Sequence, residues 1–296
     1  MTRSTDAVAA DWLGACRRAA GQVDALMRAR PTTAERVAET GTRGEGGDRT
    51  LVIDSAAEDA VFAELDRLYG EGFRFVAISE ERGEVDFGDP GVRVVIDPID
   101  GSLNAKRGLS SHALSLAVAD GPTMGDVAFG YVHDFGRGEE WTARRGQGVL
   151  LDGAPPPQPP GERRDEEGRL ELLAIESAEP RWVAMSAGEL ELVAHRLRAL
   201  GAIAVSLCQL AAGRVDGMVT LWKTRAVDAA AAQLIAREAG ALVEFVGFDD
   251  PLGAPLDCEP HAPVIGAWSV EALDALRTVP ASVQPGTHRP EGRWVE

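Results

Sequence analysis

Two carboxylates stand at the end of an apolar stretch in the middle of the chain, in the order Val94-Val95-Ile96-Asp97-Pro98-Ile99-Asp100-Gly101-Ser102. The apolar run is typical of a buried strand, and Pro98 predicts its end because proline has no N–H group for a ladder hydrogen bond. Asp97 and Asp100 would then lie at the carboxyl end of the strand, where open α/β sheets bind their ligands. Such a pair repels unless a proton or cation intervenes, and oxygen ligands suit a hard cation such as Mg²⁺. The pattern predicts a metal-dependent enzyme.

Three further acidic positions recur at the start of a helix or the end of a strand. Asp54 lies where a helical pattern of apolar residues begins, and Glu80-Glu81 follow an apolar segment over 73–79. Asp228 opens an alanine-rich stretch with helical spacing. Aspartate is also a common helix cap, so this placement alone leaves a structural role open. Together with the central pair, these positions predict one acidic site assembled from several elements.

Two helices and an irregular segment are predicted in the first 70 residues. Apolar residues at three- to four-residue spacing over 8–27 predict an amphipathic helix. Ser55 and Glu58 form a candidate capping box, which starts the second helix near Asp54. Between the two, residues 31–49 have four glycines and no periodicity, which is typical of a mobile loop and makes this segment a candidate lid.

The remaining pattern predicts two lobes that act as a single functional unit. Residues 1–154 would form an N-terminal α+β lobe that carries the metal-binding motifs and ends in an antiparallel meander. The segment 155–168 is rich in proline and charge and predicts an exposed connection. Residues 155–296 would form a C-terminal α/β lobe that completes the site. This lobe includes a helix over 189–200, behind a cap at Ser186.

Composition limits the partners and the compartment. The 296-residue chain has a formal net charge of −17, which argues against binding to nucleic acid or an anionic membrane. Its three cysteines are odd in number and far apart, as in proteins of a reducing compartment. No segment approaches the roughly 18 apolar residues that span a membrane, and the first residues lack the apolar core of a secretory signal. These features predict a cytoplasmic protein.

Three segments resemble the signatures of the inositol monophosphatase and fructose-1,6-bisphosphatase superfamily. They are, in chain order, Ile78-Ser79-Glu80-Glu81, Asp97-Pro98-Ile99-Asp100-Gly101-Ser102-Leu103-Asn104 and Val227-Asp228-Ala229-Ala230-Ala231. The resemblance spans most of the chain, and its strength lies in the order and spacing of all three. It implies a lithium-sensitive, Mg²⁺-dependent phosphatase with an α+β fold, a layered α-β-α-β-α sandwich of a large antiparallel sheet and a smaller mixed sheet.

The resemblance also implies the metal ligands. Glu80, Asp97 and the carbonyl group of Ile99 would bind one Mg²⁺ ion. Asp97, Asp100 and Asp228 would bind a second, and a third, weaker ion would use Glu80 and water. Two cations about 3.5–4 Å apart can activate a water on one side and stabilise the departing oxygen on the other.

Catalytic roles are implied for residues around these ligands. Asp54 and Ser102 would position and deprotonate the attacking water, which the metal at Glu80 would activate. Backbone N–H groups of Gly101 and Ser102 would bind phosphate oxygens. Glu81 would orient the ligands without binding metal directly.

The substrate end departs from the family pattern. Gly201 and Ala202 resemble a segment that contacts the sugar or inositol, but Ala202 stands where a Ser or Thr is common. Thr220 lies near the position where animal inositol phosphatases have a Glu. Lys223 and Arg225 belong to a segment closer to prokaryotic members that also accept fructose 1,6-bisphosphate, and would bind a second phosphate. These departures predict broad specificity.

The predicted partner is therefore a small phosphorylated sugar or polyol, namely inositol 1-phosphate, fructose 1,6-bisphosphate or both. Two other substrates of the same fold stay open, 3′-phosphoadenosine 5′-phosphate and histidinol phosphate. A catalytically weakened regulatory member of the family is a further alternative. The resemblance also implies a homodimer.

Overall fold

The computed structural model describes residues 7–30, 32–36, 39–43, 49–157 and 161–283. The α-helices of these residues are, in chain order, α1 (Trp12–Arg28), α2 (Thr33–Arg36), α3 (Val52–Gly70), α4 (Ser102–Arg107), α5 (Pro180–Val193), α6 (Ile203–Ala211), α7 (Ala226–Glu238) and α8 (Val270–Leu276). The strands are β1 (Glu39–Arg43), β2 (Arg49–Leu51), β3 (Val76–Ser79), β4 (Gly83–Asp86), β5 (Arg93–Asp100), β6 (Ala113–Ala119), β7 (Val127–Asp134), β8 (Glu139–Arg144), β9 (Val149–Leu151), β10 (Leu170–Glu176), β11 (Ala194–Arg198), β12 (Gly217–Thr220), β13 (Leu242–Phe245) and β14 (Val264–Ala267).

Two sheets alternate with three layers of helices. The larger sheet has the order β4-β3-β5-β6-β7-β8-β9 and is antiparallel except between β3 and β5. The smaller sheet has the order β11-β10-β12-β14-β13, with parallel pairs at β11-β10-β12 and antiparallel pairs beyond. Helices α6 and α7 pack between the sheets, α1 and α3 cover the larger sheet, and α5 and α8 cover the smaller one. The predicted α-β-α-β-α sandwich is confirmed.

The outer layer on the larger sheet follows the predicted amphipathic pattern. Helix α1 begins at Trp12 because Asp11 accepts a hydrogen bond from the N–H group of Gly14 over 2.9 Å. Its buried face includes Trp12 and Cys16 and packs against α3 at Leu65. Burial of one large apolar side chain contributes roughly 1.5–3 kcal/mol to the stability of the fold. The packing of this face therefore holds α1 and α3 together on the larger sheet.

The inner helix α7 lies unusually close to the larger sheet. A Cβ atom on Gly130 of β7 would stand 2.6 Å from the carbonyl oxygen of Ala231, so only glycine permits this approach. The alanines of α7 are buried between the two sheets. This packing fixes the first turn of α7, which contains Asp228.

The predicted end of β5 at Pro98 is wrong, because the strand continues to Asp100. Asp97 pairs with Ser115 and Asp100 with Ala113, so β5 has one residue more than β6 between these pairs. This is a β-bulge, one of the positions where a sheet tolerates proline. The bulge leaves both carboxylates at the end of the strand, as the pattern requires.

The predicted capping box of the second helix is also wrong. Helix α3 begins at Val52, so Ser55 lies inside it and Asp54 lies in its first turn. Glu58 instead accepts hydrogen bonds from the hydroxyl group of Ser79 and, over 3.2 Å, from the N–H group of Arg82. The side chain of Glu58 therefore joins α3 to the end of β3.

The prediction of an irregular loop over 31–49 fails where this segment is described. It contains α2 and the antiparallel pair β1 and β2. Arg36 of α2 donates hydrogen bonds to the carbonyl oxygens of Ala105 (2.7 Å) and Met27 (3.2 Å), which ties α2 to α4 and α1. Residues 44–48 lie outside the described part, and the role of a lid stays a prediction.

The predicted helix over 189–200 is misplaced. Helix α5 starts at Pro180, whose fixed φ suits a first helical turn, and β11 follows it directly. Ser186 is buried inside α5 and is not its cap. The stacking of Trp182 on Trp222, with ring centroids 3.9 Å apart, holds α5 on the smaller sheet.

The larger sheet uses strands before residue 152 and the smaller sheet strands after residue 169. The change of sheet coincides with the predicted boundary, although the division into lobes at 155 stays a prediction. None of the helices in the described part of the chain is long and apolar enough to cross a membrane.

Candidate active site

The predicted acidic residues converge at one edge of the larger sheet. Glu80 follows β3, Asp97 and Asp100 end β5, and Asp228 lies in the first turn of α7. Because β3 and β5 are parallel neighbours, their carboxyl ends lie side by side. Two adjoining cavities of about 320 and 520 Å³ open at this edge, and Glu80 and Asp97 line both.

The smaller cavity adds Asp54 and Glu81 to the shared lining. Lys106 of α4 also lines it, and its Nζ atom lies 3.2 Å from Oδ2 of Asp54. Asp54 is therefore held by a cation on the neighbouring helix. Ser102, the first residue of α4, is half-buried and lines both cavities.

Burial and mutual repulsion shape the protonation of the acidic residues. Burial raises the pKa of Asp97 well above its usual range, and Glu80 and Asp100 add to the shift. Burial, and then Asp228, raise the pKa of Asp100 in the same direction. Burial also raises the pKa of Glu80, against the opposing effect of Arg225. The site therefore favours protons or cations beside these carboxylates.

The two carboxylates of β5 are oriented by backbone N–H groups. Asp97 accepts a hydrogen bond from Ile99 over 2.9 Å, within the bulge. Asp100 accepts from Ile203 (3.1 Å) and Ala204 (2.8 Å) at the start of α6. Asp100 thus links the end of β5 to the inner helical layer.

Arg225 lies between two of the acidic residues. Its Nη1 atom is 2.8 Å from Oε1 of Glu80, and its Nη2 atom is 3.0 Å from Oδ1 of Asp228. Burial lowers the pKa of Arg225, but the neighbouring Asp228 and Glu80 outweigh burial and raise it. The guanidinium group is therefore a fixed positive charge inside the site.

The donor set has the chemistry that Mg²⁺ prefers. Glu80, Asp97, Asp100 and Asp228 supply carboxylate oxygens, and Ile99, whose carbonyl group is the predicted fifth ligand, lines both cavities beside them. Among the described residues, no three His, Cys, Asp or Glu side chains already stand in a metal-binding arrangement. The ligands fit the ion by type, while Glu80 and Asp228 face Arg225.

The loop between β5 and α4 depends on close backbone packing. Gly101 has φ of +77°, and a Cβ atom there would lie 2.6 Å from the carbonyl oxygen of Ser111. Asn104 donates hydrogen bonds to the carbonyl oxygens of Ser111 and Leu200, each over 2.7 Å. These contacts place Gly101 directly against Gly201, and both glycines line the larger cavity.

Only part of the predicted substrate set comes together. Gly201, Ala202 and Arg225 line the larger cavity. Thr220 is fully buried in the smaller sheet, where its hydroxyl group accepts a hydrogen bond from the N–H group of Val264 over 2.9 Å. Lys223 is exposed and lines neither cavity. The structure therefore does not bring Thr220 or Lys223 into the site.

Glu176 is a site residue that the sequence reasoning missed. It ends β10, lines the larger cavity and accepts hydrogen bonds from the N–H groups of Leu200 (3.0 Å) and Gly201 (2.9 Å). The hydroxyl group of Ser206 donates a further bond over 2.6 Å. Burial raises the pKa of Glu176 to about 7. An acidic residue directly after an apolar strand, as at Glu80, is the sequence signal that was available.

The fold and the site together define an α-β-α-β-α sandwich with an acidic, all-oxygen centre at one sheet edge. A model of the inositol monophosphatase family matches residues 11–279. The chain therefore belongs to the inositol monophosphatase family. The predicted enzyme class, a phosphoric monoester hydrolase, is confirmed by this membership and by the enzyme names of relatives.

Individual relatives agree with this assignment. The chain is 30% identical over 243 residues to the fructose-1,6-bisphosphatase/inositol-1-monophosphatase of Methanothermobacter thermautotrophicus, covering 78% of this chain and 83% of that protein. It is 32% identical over 199 residues to the Nus factor SuhB of Pasteurella multocida, covering 66% and 71%. The crystal structure of an inositol monophosphatase-fructose 1,6 bisphosphatase superposes with a TM-score of 0.74 at 24% identity, covering 91% of this chain and 100% of that chain, and shows the same fold.

Proposed function

We propose that the protein is a Mg²⁺-dependent phosphomonoesterase that hydrolyses both inositol 1-phosphate and fructose 1,6-bisphosphate. The observation that supports this most is the convergence of Glu80, Asp97, Asp100 and Asp228 beside two cavities at the end of parallel strands. The relative from Methanothermobacter, whose name combines both activities, supports the pair of substrates.

In this proposal the acidic residues hold the ions. Glu80, Asp97 and the carbonyl oxygen of Ile99 would hold one Mg²⁺ ion. Asp97, Asp100 and Asp228 would hold a second, and Glu80 with water would hold a third. Ions held by these residues would lower the pKa of a water molecule and neutralise part of the phosphate charge. The raised pKa of Asp97 in the ion-free chain supports this role, because it means that the ionised carboxylate is unfavourable there without a neighbouring cation.

Asp54 and Ser102 position and deprotonate the attacking water in the smaller cavity, and Glu80 holds the ion that would activate it. All three residues line this cavity. Lys106 holds Asp54 by an ion pair, so this carboxylate keeps one orientation while it accepts a proton. Glu81 lines the same cavity and orients the ligand set. The N–H groups of Gly101 and Ser102 donate hydrogen bonds to the phosphate oxygens of the substrate.

The sugar or polyol occupies the larger cavity, between the loop at Gly201 and the end of β5. Ala202 supplies no hydroxyl group there, and Glu176 already accepts hydrogen bonds from the loop and from Ser206 of α6. Polar partners give strong discrimination between substrates, so the missing hydroxyl group at Ala202 favours the acceptance of several esters. Histidinol phosphate and 3′-phosphoadenosine 5′-phosphate therefore belong in the same assay.

A regulatory role is the second candidate. Two observations favour it: a relative is named Nus factor SuhB, and Arg225 stands among the acidic residues. Every carboxylate that the enzyme needs is nevertheless present, which favours catalysis. Inhibition by Li⁺, a homodimer and a cytoplasmic location complete the proposal and rest on the family and the composition.

Release of inorganic phosphate from a panel of esters tests this function. The panel contains inositol 1-phosphate, fructose 1,6-bisphosphate, histidinol phosphate and 3′-phosphoadenosine 5′-phosphate, with Mg²⁺ and with a chelator. We expect Mg²⁺-dependent turnover of the first two. Turnover of inositol 1-phosphate alone would contradict broad specificity, and no turnover of any ester would favour the regulatory candidate.

A further inference from the structure

Arg225 forms hydrogen bonds to two carboxylates on separate elements. Its guanidinium group contacts Glu80 after β3 over 2.8 Å and Asp228 in α7 over 3.0 Å. A second, longer contact joins Nε to Oδ2 of Asp228 over 3.4 Å. The side chain is 25% exposed and borders the larger cavity.

The same two carboxylates are those that the proposed function assigns to different Mg²⁺ ions. A carboxylate oxygen that accepts a short hydrogen bond from a guanidinium group has less capacity left for a metal ion. The positive charge of Arg225 would also repel a cation bound to the same carboxylates. Arg225 and a full set of ions therefore compete for Glu80 and Asp228.

We propose that Arg225 is an internal counter-ion that Mg²⁺ displaces, and that the released guanidinium group binds the phosphate group of the substrate. Without metal, Arg225 neutralises part of the acidic cluster and holds Glu80 and Asp228 in place. With metal, the side chain turns into the larger cavity that it already lines, where a planar guanidinium group matches phosphate oxygens. This inference rests on the proposed function.

The exchange couples two ligands through one side chain. Mg²⁺ must break the contacts of Arg225 to Glu80 and Asp228 in order to bind. A phosphate group then stabilises this displaced state of Arg225, because it accepts hydrogen bonds from the free guanidinium group. Mg²⁺ therefore raises the affinity for phosphate by more than its own direct contacts provide, and phosphate raises the affinity for Mg²⁺ by the same factor. A metal site without Arg225 lacks this part of the coupling.

The first experiment titrates Mg²⁺ alone into the metal-free protein, by calorimetry. Replacement of Arg225 by glutamine, Arg225→Gln, keeps a hydrogen-bond donor and removes the charge. We expect Mg²⁺ to bind Arg225→Gln more tightly than the wild type by about tenfold or more, because the competing cation is gone. The matched control is Lys223→Gln, which removes the same charge two residues away from an exposed side chain outside both cavities. It should leave the affinity unchanged.

The second experiment titrates inorganic phosphate with and without Mg²⁺. The factor by which Mg²⁺ increases phosphate affinity should fall by about tenfold in Arg225→Gln relative to the wild type. A measurement on the wild type covers the case in which the variant fails to fold. Modification of arginine by phenylglyoxal, mapped by mass spectrometry, should increase at Arg225 when Mg²⁺ is added and decrease again with phosphate.

The outcomes separate the inference from the proposed function. If the wild type binds Mg²⁺ and Arg225→Gln binds it equally or more weakly, Arg225 is a structural clamp and the inference is overturned alone. Modification at Arg225 that is unchanged by Mg²⁺ would overturn it in the same way. If neither protein binds Mg²⁺, the proposed function fails and the inference fails with it. Binding by Arg225→Gln but not by the wild type would show that Mg²⁺ does not displace Arg225, which overturns the inference and the Mg²⁺ dependence of the wild type together.

Discussion

Asp97 is deeply buried and lies close to other acidic side chains. Its side chain is 3% exposed, and its raised pKa reflects burial followed by the charges of Glu80 and Asp100. A residue of this kind destabilises the metal-free chain when ionised and becomes favourable only beside a cation. Proteins keep such a destabilising buried carboxylate where the function of the site requires its charge.

The substitution Asp97→Asn should therefore separate activity from stability. Phosphatase turnover should fall by about a hundredfold or more, since one ligand of two ions is lost. The thermal midpoint of the metal-free protein should stay the same or rise, because a buried like charge is removed. Initial rates at saturating Mg²⁺ and a melting curve in chelator check both. Turnover near that of the wild type would remove Asp97 from the ligand set.

Glu176 should matter through the loop that it holds. Both of its oxygens accept hydrogen bonds, from Leu200, Gly201 and Ser206. The amide group of Glu176→Gln would face one of the N–H donors without an acceptor, at a cost of about 1–3 kcal/mol. Since the loop borders the larger cavity, KM should rise more than kcat falls.

Urea denaturation and steady-state kinetics on the same protein samples test this role of Glu176. Ser206→Ala is the matched control, because it removes one of the hydrogen bonds and leaves the carboxylate in place. Its loss of stability should be smaller and its KM close to that of the wild type. A fall in kcat at constant KM in Glu176→Gln would indicate that Glu176 acts in the chemistry instead of the loop.

At the scale of elements, the turn between β5 and α4 is the most constrained part of the site. Gly101 and Gly108 flank α4, both with positive φ, but an added Cβ atom would meet a neighbouring backbone atom within 4 Å only at Gly101. Gly108→Ala should therefore cost about 1 kcal/mol for φ alone. Gly101→Ala should cost clearly more and impair Mg²⁺ binding. Equal losses of unfolding free energy in the two variants, measured by urea denaturation, would show that the contact with Ser111 is unimportant.

The elements differ in how far the sequence predicts them. Helix α1 and the inner helix α7 have long apolar patterns, and both exist close to where the pattern places them. Pro98 misled the prediction of β5 because a bulge, set by pairing with β6, accommodates proline. The segment 194–198 was wrongly predicted as part of a helix for a different reason. Its apolar residues, Ala194 and Leu197, are three positions apart, as in a helix, but parallel pairing with β10 makes the segment a strand.

The same contrast holds for the site. The motifs place Asp97 and Asp100 next to each other, so local sequence is enough to predict their proximity. Glu176 enters the site only because β10 ends beside the loop at Gly201, a contact between distant parts of the chain. The partner of Arg225 was missed for the same reason, because Glu80 lies 145 positions away in sequence.

At the scale of the whole molecule, the acidic site joins the two sheets. Asp100 ends a strand of the larger sheet and accepts hydrogen bonds at the start of α6, in the layer that packs on both sheets. Glu176 ends a strand of the smaller sheet and lines the same cavity. Ions bound at this junction would therefore stabilise the molecule as a whole, since binding to the folded state alone raises its stability.

The stability that Mg²⁺ adds should depend on pH in a defined direction. Glu80, Asp97 and Asp100 have raised pKa values in the metal-free fold. Their contribution to stability is therefore complete below about pH 4, near their unfolded pKa values, and is lost as pH rises through the folded ones. Mg²⁺ needs the ionised carboxylates, so it restores this loss. The increase in thermal midpoint on adding Mg²⁺ should grow between about pH 5 and pH 8.

Taking the difference between melting curves with and without Mg²⁺ isolates the site. Burial lowers the pKa of His112 and His133, so these residues add stability as pH rises, but they line neither cavity and contribute equally to both curves. Burial raises the pKa of Glu139, but Arg214 and Arg137 outweigh burial and lower it, and Arg17 lowers the pKa of Glu140, so both groups add little pH dependence above about pH 5. Asp97→Asn should flatten the dependence. A midpoint increase that is the same at every pH in the wild type would mean that Mg²⁺ binds away from the buried carboxylates.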